Sequence, residues 1–277
     1  MPNNANHPPA KLKIAILGAA GRMGQAITRC ASRLPNLHLV GAVEAEQCPL
    51  LGKDIGIIAS IADIGVLLTA DSRKAFQKAD VLVDFSFPSA TARHATLAAE
   101  LKKPMVIGTT GLNPDETEAI RKAAVHIPMV WAPNMSLGVN LLFAMVKKTA
   151  GALGDYNIEI IETHHRHKKD SPSGTALRLA ETAATARGLK LDDVATHGRQ
   201  GMVGERPTAQ IGIHAVRAGD VVGDHTIFFA AEGERLELTH RASSRDCFAM
   251  GALRAAAWVV TRKPGLYSML DVLDIKE

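Results

Sequence analysis

The residues best suited to chemistry lie between Glu162 and Leu177, in the run Glu-Thr-His-His-Arg-His-Lys-Lys-Asp-Ser-Pro-Ser-Gly-Thr-Ala-Leu. His164, His165 and His167 share six consecutive positions with Arg166, Lys168 and Lys169. Imidazole beside ammonium supplies a general acid or base that works near neutral pH. Ser171 to Thr175, in front of Ala176 and Leu177, reads as a helix N-terminus whose N–H groups and hydroxyls attract anions. A metal site would want an i, i+4 histidine pair or nearby cysteines, which the run lacks. A nucleic-acid patch would want greater length and interleaved aromatic residues. A solvated charged face remains the ordinary explanation of a charge run. The convergence of cations, histidines and a helix start favours instead a seat for a small carboxylate with proton transfer beside it.

A second constellation follows an apolar run, Lys13 to Leu17, with Gly18-Ala19-Ala20-Gly21-Arg22-Met23-Gly24. In a strand-to-helix turn Gly18 permits the sharp bend, Gly21 the approach of a pyrophosphate, and Gly24 close packing of helix on strand. Ala20 stands where the common G-x-G-x-x-G pattern has its second glycine. Glu44, 20 positions beyond Gly24, ends the next strand, where a carboxylate accepts hydrogen bonds from ribose hydroxyls. Strand, glycines, helix and acid together point to dinucleotide binding. Ala45 and Glu46 follow Glu44 and offer no cation to a 2′-phosphate, so NADH is expected to be favoured over NADPH, with Lys53 or Arg22 as compensating cations.

These groups need a scaffold. Short β-branched runs at 13–17, 38–43, 81–85, 105–108 and 129–131 alternate with amphipathic stretches at 22–34, 89–101 and 115–125, the signature of a parallel sheet with crossover helices. After Pro133 the rhythm changes: a long apolar helix from Leu137 to about Leu153, a strand at 156–162, a helix opening at Ser173, an expected loop over 189–208, and strands at 209–216, 221–230 and 235–241. Hairpin-like Ala-Gly-Asp and Glu-Gly-Glu turns between the last three suggest a mixed or antiparallel sheet and a second domain. A helix from Ser244 to Arg262 closes the series, and residues 1–10, with their Asn and Pro, are expected to form a mobile tail.

With 277 residues, 47% hydrophobic and 22% charged, the chain has ample material for a core. Its 7 Phe, 2 Trp and 2 Tyr argue against a protein that stacks bases on aromatic platforms. A net charge of +4 suits a small anion as well as a nucleic acid, so its distribution must decide. Cys30, Cys48 and Cys247 have no paired spacing, which argues against disulfides and cysteine metal sites and leads us to expect a cytoplasmic protein. The most apolar stretch, 55–70, is interrupted by Asp63 and too short for a bilayer, so no membrane partner is expected.

The run from Glu162 is similar to the signature E-x-H-H-R-H-K-x-D-x-P-S-G-T-A of the dihydrodipicolinate reductase family of the lysine and diaminopimelate pathway. Gly18 to Gly24, Asp84-Phe85, Gly108-Thr109-Thr110-Gly111, Ala132-Pro133-Asn134-Met135-Ser136, Val216 to Asp220 and Thr239 to Arg245 resemble further family segments in the expected order. The resemblance implies an α/β fold: a Rossmann-like parallel-sheet domain of residues 11–134 and 245–277, with an inserted α+β domain, 135–244, for substrate binding and assembly into a homotetramer. It implies His164 as catalytic acid/base and Lys168 as proton donor, with His165, Ser173, Gly174 and Thr175 holding the carboxylates of a small dicarboxylate substrate. The cofactor would lie on Gly18, Ala19, Ala20, Gly21, Arg22 and Met23, with Glu44 on its ribose. Gly108, Thr109, Thr110, Ala132, Pro133, Asn134 and Met135 would approach the nicotinamide. The implied reaction is hydride transfer from NADH or NADPH to an unsaturated cyclic imine, followed by proton transfer and assisted by domain closure.

Two departures weaken the case for strong NADPH use: Ala45 stands where NADPH-using members tend to carry Arg, and Phe87 where some have Arg. Another two-domain dehydrogenase of a small carboxylic acid is the alternative enzyme. A semialdehyde dehydrogenase is disfavoured because no Cys lies near the expected site. A nicotinamide-sensing regulator would have an incomplete acid/base set, whereas both His164 and Lys168 are present.

Overall fold

A computed structural model describes residues 11–276, so the expected tail at 1–10 lies outside the described residues. The chain divides into two compact units, one running to Ser136 and resuming over Phe248–Asp274, the other spanning Leu137–Cys247.

The first unit begins with β1 (Leu12–Leu17), α1 (Arg22–Ser32) and β2 (Leu37–Val43). Next come α2 (Ile55–Ile58), β3 (Leu68–Thr69), α3 (Ser72–Lys78) and β4 (Val81–Asp84). Then follow α4 (Pro88–Glu100), β5 (Met105–Ile107), α5 (Pro114–Ala124) and β6 (Pro128–Trp131). Ile14 to Leu17 and Val81 to Val83 are wholly buried, as a strand covered on both faces requires, and this is why they read as unbroken apolar runs. The helices bury one face each: Ala26, Ile27 and Cys30 in α1, Ile120, Ala123 and Ala124 in α5. Asn113 and Glu116 form a reciprocal capping box at the start of α5, with Pro114 just inside it.

In the second unit α6 (Leu137–Ala152) leads to β7 (Asn157–His164) and α7 (Gly174–Ala186). The remaining elements are α8 (Leu191–Val194), β8 (Ala195–His197), β9 (Ile211–Arg217), β10 (Gly223–Ala231) and β11 (Glu234–Ala242). The sheet order is β11-β10-β7-β9-β8, with β7 antiparallel to β10 and parallel to β9. Alternate residues of β7, Ile158, Ile160, Glu162 and His164, face inward. The first two join Val139 and Phe143 of α6 and Leu179 of α7 in one apolar core.

Finally α9 (Asp246–Val259), β12 (Gly265–Tyr267) and α10 (Met269–Val272) follow, and β12 pairs parallel with β6. The first sheet thus has the order β12-β6-β5-β4-β1-β2-β3, a Rossmann-like parallel sheet whose strand order reverses between β1 and β4. The structure corrects two readings of the sequence. Residues 189–208 are not all loop, because they carry α8 and β8. The β9 to β10 turn does not join neighbouring strands, because β7 lies between them.

Candidate active site

In the second unit the inward face of the sheet becomes polar at one end. Strand register places Glu162 of β7 beside His225 of β10 and His164 beside Arg217 of β9, and Gly223, the first residue of β10, comes up against the His164 ring. Glu162 is fully buried and His164 is 8% exposed. The Nδ1–H of His164 donates to Glu162 Oε2 at 2.5 Å. Arg217 grips the same carboxylate in bidentate fashion, Nη1 to Oε2 and Nη2 to Oε1, both at 2.9 Å. The backbone N–H of Ser173 donates to Oε1 at 3.0 Å. Burial opposes ionisation of Glu162, but the Arg217, His164 and Ser173 hydrogen bonds outweigh it and hold the carboxyl below its ordinary range.

Ser173 also caps α7, its hydroxyl accepting the N–H of Ala176 at 3.2 Å and meeting His225 Nε2 at 3.1 Å. Burial, and secondarily the nearness of His164, pushes His225 down to about 4, so it is neutral at physiological pH. The rings of His164 and His225 meet edge to face, 5.2 Å apart. Nothing lies within 4 Å of the place a Cβ on Gly174 would take, so the backbone that opens α7 is approachable. Lys168 Nζ donates to Asp170 Oδ1 at 2.9 Å, and Arg217 Nη2 donates to the Asp170 carbonyl at 2.7 Å. The half-buried His165 is lowered by burial and then by the charges of Arg245 and its histidine and lysine neighbours. A Cβ on Gly223 would stand 2.9 Å from His164 Nε2, so only glycine leaves that nitrogen its place.

In the first unit the glycine turn does what its spacing requires. Gly18 has φ of +72°, and a Cβ there would lie 2.7 Å from the Phe85 carbonyl oxygen. A Cβ on Gly24 would come within 2.4 Å of the Gly18 and Ala19 carbonyl oxygens. Helix α1 has Gly21 at its N-cap, with no side-chain cap and no acid in its first turn, so its leading N–H groups suit an anion. Glu44 accepts the backbone N–H of Ala20 and of Ala45, each at 3.1 Å, which fixes it against the turn. A cleft of about 520 Å³ beside it is lined by Gly18, Glu44, Ala45, Phe87, Arg93 and His94 among others. This turn, uncapped helix and acid-lined cleft fit a dinucleotide.

At the end of β4 the buried Asp84 accepts from Ser86 N at 2.7 Å, Thr91 Oγ1 at 3.2 Å and His94 Nδ1 at 2.8 Å. The hydroxyls of Thr91 and Thr109 meet at 2.8 Å, which braces the Gly108 turn after β5. Thr109, Ala19, Ala132 and Met135 are themselves buried, whereas Arg22, Thr110 and Pro133 are exposed. Asn134 Oδ1 accepts the N–H of Ser136 at 2.9 Å, closing the turn after β6.

The sequence-derived set therefore falls into two groups. Gly18 to Met23, Glu44, Gly108 to Thr110 and Ala132 to Met135 follow carboxyl ends of strands in the first sheet. His164, His165, Lys168 and Ser173 to Thr175 gather at one end of the second. The sequence reading missed Arg217 and His225 as members of the second group, and Asp84 and His94 as a brace for the first. Only a strand register could have revealed Arg217 and His225, since they lie 55 and 52 positions from the residues they hold.

The family models described as dihydrodipicolinate reductase, N-terminus and C-terminus, match residues 12–135 and 138–273. The 4-hydroxy-tetrahydrodipicolinate reductase of Anaeromyxobacter dehalogenans is 49% identical over 95% of this chain and 98% of its own length. That of Syntrophus aciditrophicus is 49% identical over 96% and 99%. A dipicolinate-bound dihydrodipicolinate reductase from Paenisporosarcina sp. TG-14 superposes with a TM-score of 0.75 at 26% identity, over 94% of this chain and 98% of that one. With both family halves matched in order along one chain, this protein belongs to the dihydrodipicolinate reductase family.

Proposed function

We propose that the protein reduces 4-hydroxy-tetrahydrodipicolinate to tetrahydrodipicolinate in lysine and diaminopimelate biosynthesis, using a nicotinamide dinucleotide. The observation that carries this reading is the Glu162 and His164 pair set against the N-terminus of α7, a proton-transfer group next to an anion seat. The Paenisporosarcina reductase is bound to dipicolinate, a planar dicarboxylate, and the site chemistry here suits the same class of ligand.

In this reading the first unit binds the cofactor through the backbone of residues 18–23 and the carboxylate of Glu44, with the turns at 108–110 and 132–135 toward the nicotinamide. When bound, the nicotinamide supplies the hydride. His165, Ser173, Gly174 and Thr175 hold the substrate carboxylates. His164, its Nδ1 proton directed to Glu162, offers Nε2 for proton transfer, and Lys168 delivers the proton that follows hydride addition. Both assist departure of the 4-hydroxyl. NADH is the preferred cofactor because Ala45 and Glu46 supply no phosphate partner, and Arg93 is the cation in the cleft that serves NADPH. The protein works as a cytoplasmic homotetramer assembled through the second sheet.

The test is steady-state oxidation of NADH and of NADPH with freshly generated substrate. Turnover with both, at a higher kcat/KM for NADH, is expected. Absence of turnover at micromolar enzyme overturns the reading.

A further inference from the structure

Glu162 is fully buried, yet four hydrogen bonds converge on it from β7, β9 and the loop before α7. A buried carboxylate assembled so completely is costly unless its partners use it. One of those partners is the residue read here as the acid. The bond from Nδ1 leaves Nε2 as the only ring nitrogen of His164 that a substrate can meet, and Gly223 keeps the space next to that nitrogen clear of a Cβ. Arg217 touches no other carboxylate among the described residues; its remaining bonds go to the carbonyls of Val216 and Asp170.

We propose that Glu162 and Arg217 are positioning residues for the reduction: the carboxylate fixes the His164 ring with its Nδ1 proton inward and stabilises the protonated ring, and the guanidinium limits that stabilisation. The proposal rests on His164 being the acid. Other titratable groups facing the ring are His225 on β10, His240 next along the row on β11, and Lys168 and His165 on the loop that follows. His225 is neutral across the working range and His240 is lowered by burial, so the charges near the ring are the Glu162 and Arg217 pair and the Lys168 and Asp170 pair, of which Glu162 alone bonds the ring.

The experiment is the pH profile of kcat/KM for Glu162→Gln and Arg217→Gln beside wild type and His164→Ala. An acid that must be protonated gives a limb that falls as pH rises. Removing the carboxylate moves that limb down by about one unit or more, and removing the guanidinium moves it up, because opposite charges favour ionised forms and like charges disfavour them. A merely structural ion pair lowers activity in both variants without moving the limb, or moves it the same way in both, and either result overturns the proposal. If His164→Ala keeps wild-type turnover and limb, the assignment of the acid fails instead, which is a distinct outcome. Should a variant not fold, long-range ¹H–¹⁵N correlation on the wild-type protein decides, with the His164 signals identified by their loss in His164→Ala. A neutral ring protonated on Nδ1 is expected, and one protonated on Nε2 overturns the proposal.

Discussion

At the scale of single residues the assignments separate proton transfer from cofactor binding. Replacing His164 or Lys168 with Ala is expected to lower kcat by about 100-fold or more, with NADH affinity measured by titration nearly unchanged. Loss of NADH binding would contradict their placement. Cofactor choice sits on other side chains. Ala45→Arg is expected to raise the NADPH to NADH ratio of kcat/KM by about tenfold, the worth of one charge-assisted hydrogen bond, and Arg93→Ala to lower it. An unchanged ratio in both would assign the choice elsewhere. The positions of His164, Lys168 and Ser173 are legible in the sequence because they share one contiguous string, and that of Glu44 because it ends the strand that follows the glycine turn and its helix. Arg217, His225 and the Asp84 to His94 brace were not, because distant strands and a strand-helix pair bring them together.

At the scale of elements, what could be read depended on length and on how completely an element is covered. β1 and β4 announced themselves as apolar runs buried on both faces, and β7 by its alternation. β3, β8 and β12 have only two or three residues and exist because an adjacent strand offers its edge, which no local pattern records. Residues 198–210 are anchored to β7 by charge. Arg199, Arg206 and His214 all donate to Glu159, and although burial opposes its ionisation they hold its carboxyl down at about 2. A carboxyl lowered from 4.5 to about 2 on folding stabilises the protein above the higher value by on the order of 3 kcal/mol, and that contribution is lost as pH falls toward the lower one. Glu159→Gln should therefore be less stable than wild type in urea unfolding at neutral pH, with the gap closing below pH of about 3. A gap that persists in acid would show that packing, not charge, holds the loop.

At the scale of the whole molecule, no helix among the described residues is long and apolar enough to cross a membrane. The second sheet keeps α6 and α7 on one face, while on the other Ile161 and Val216 are exposed in company with Thr226 and Thr239. That face is the surface on which the proposed tetramer is expected to form. Ile161→Arg should then shift the mass measured by light scattering from four chains toward fewer, with the fold retained by circular dichroism. An unaltered mass would move the interface elsewhere. The glycine next to His164 carries a consequence of a different kind. A slip of β10 by one position would bring Val222 or Asp224 against the imidazole in place of Gly223. With His164 as the proposed acid, strand alignment, ordinarily a matter of foldedness alone, becomes a tolerance on turnover. A redesign of the β10 and β11 hairpin that preserved every inward apolar residue yet shifted that alignment would yield a sound, inert protein.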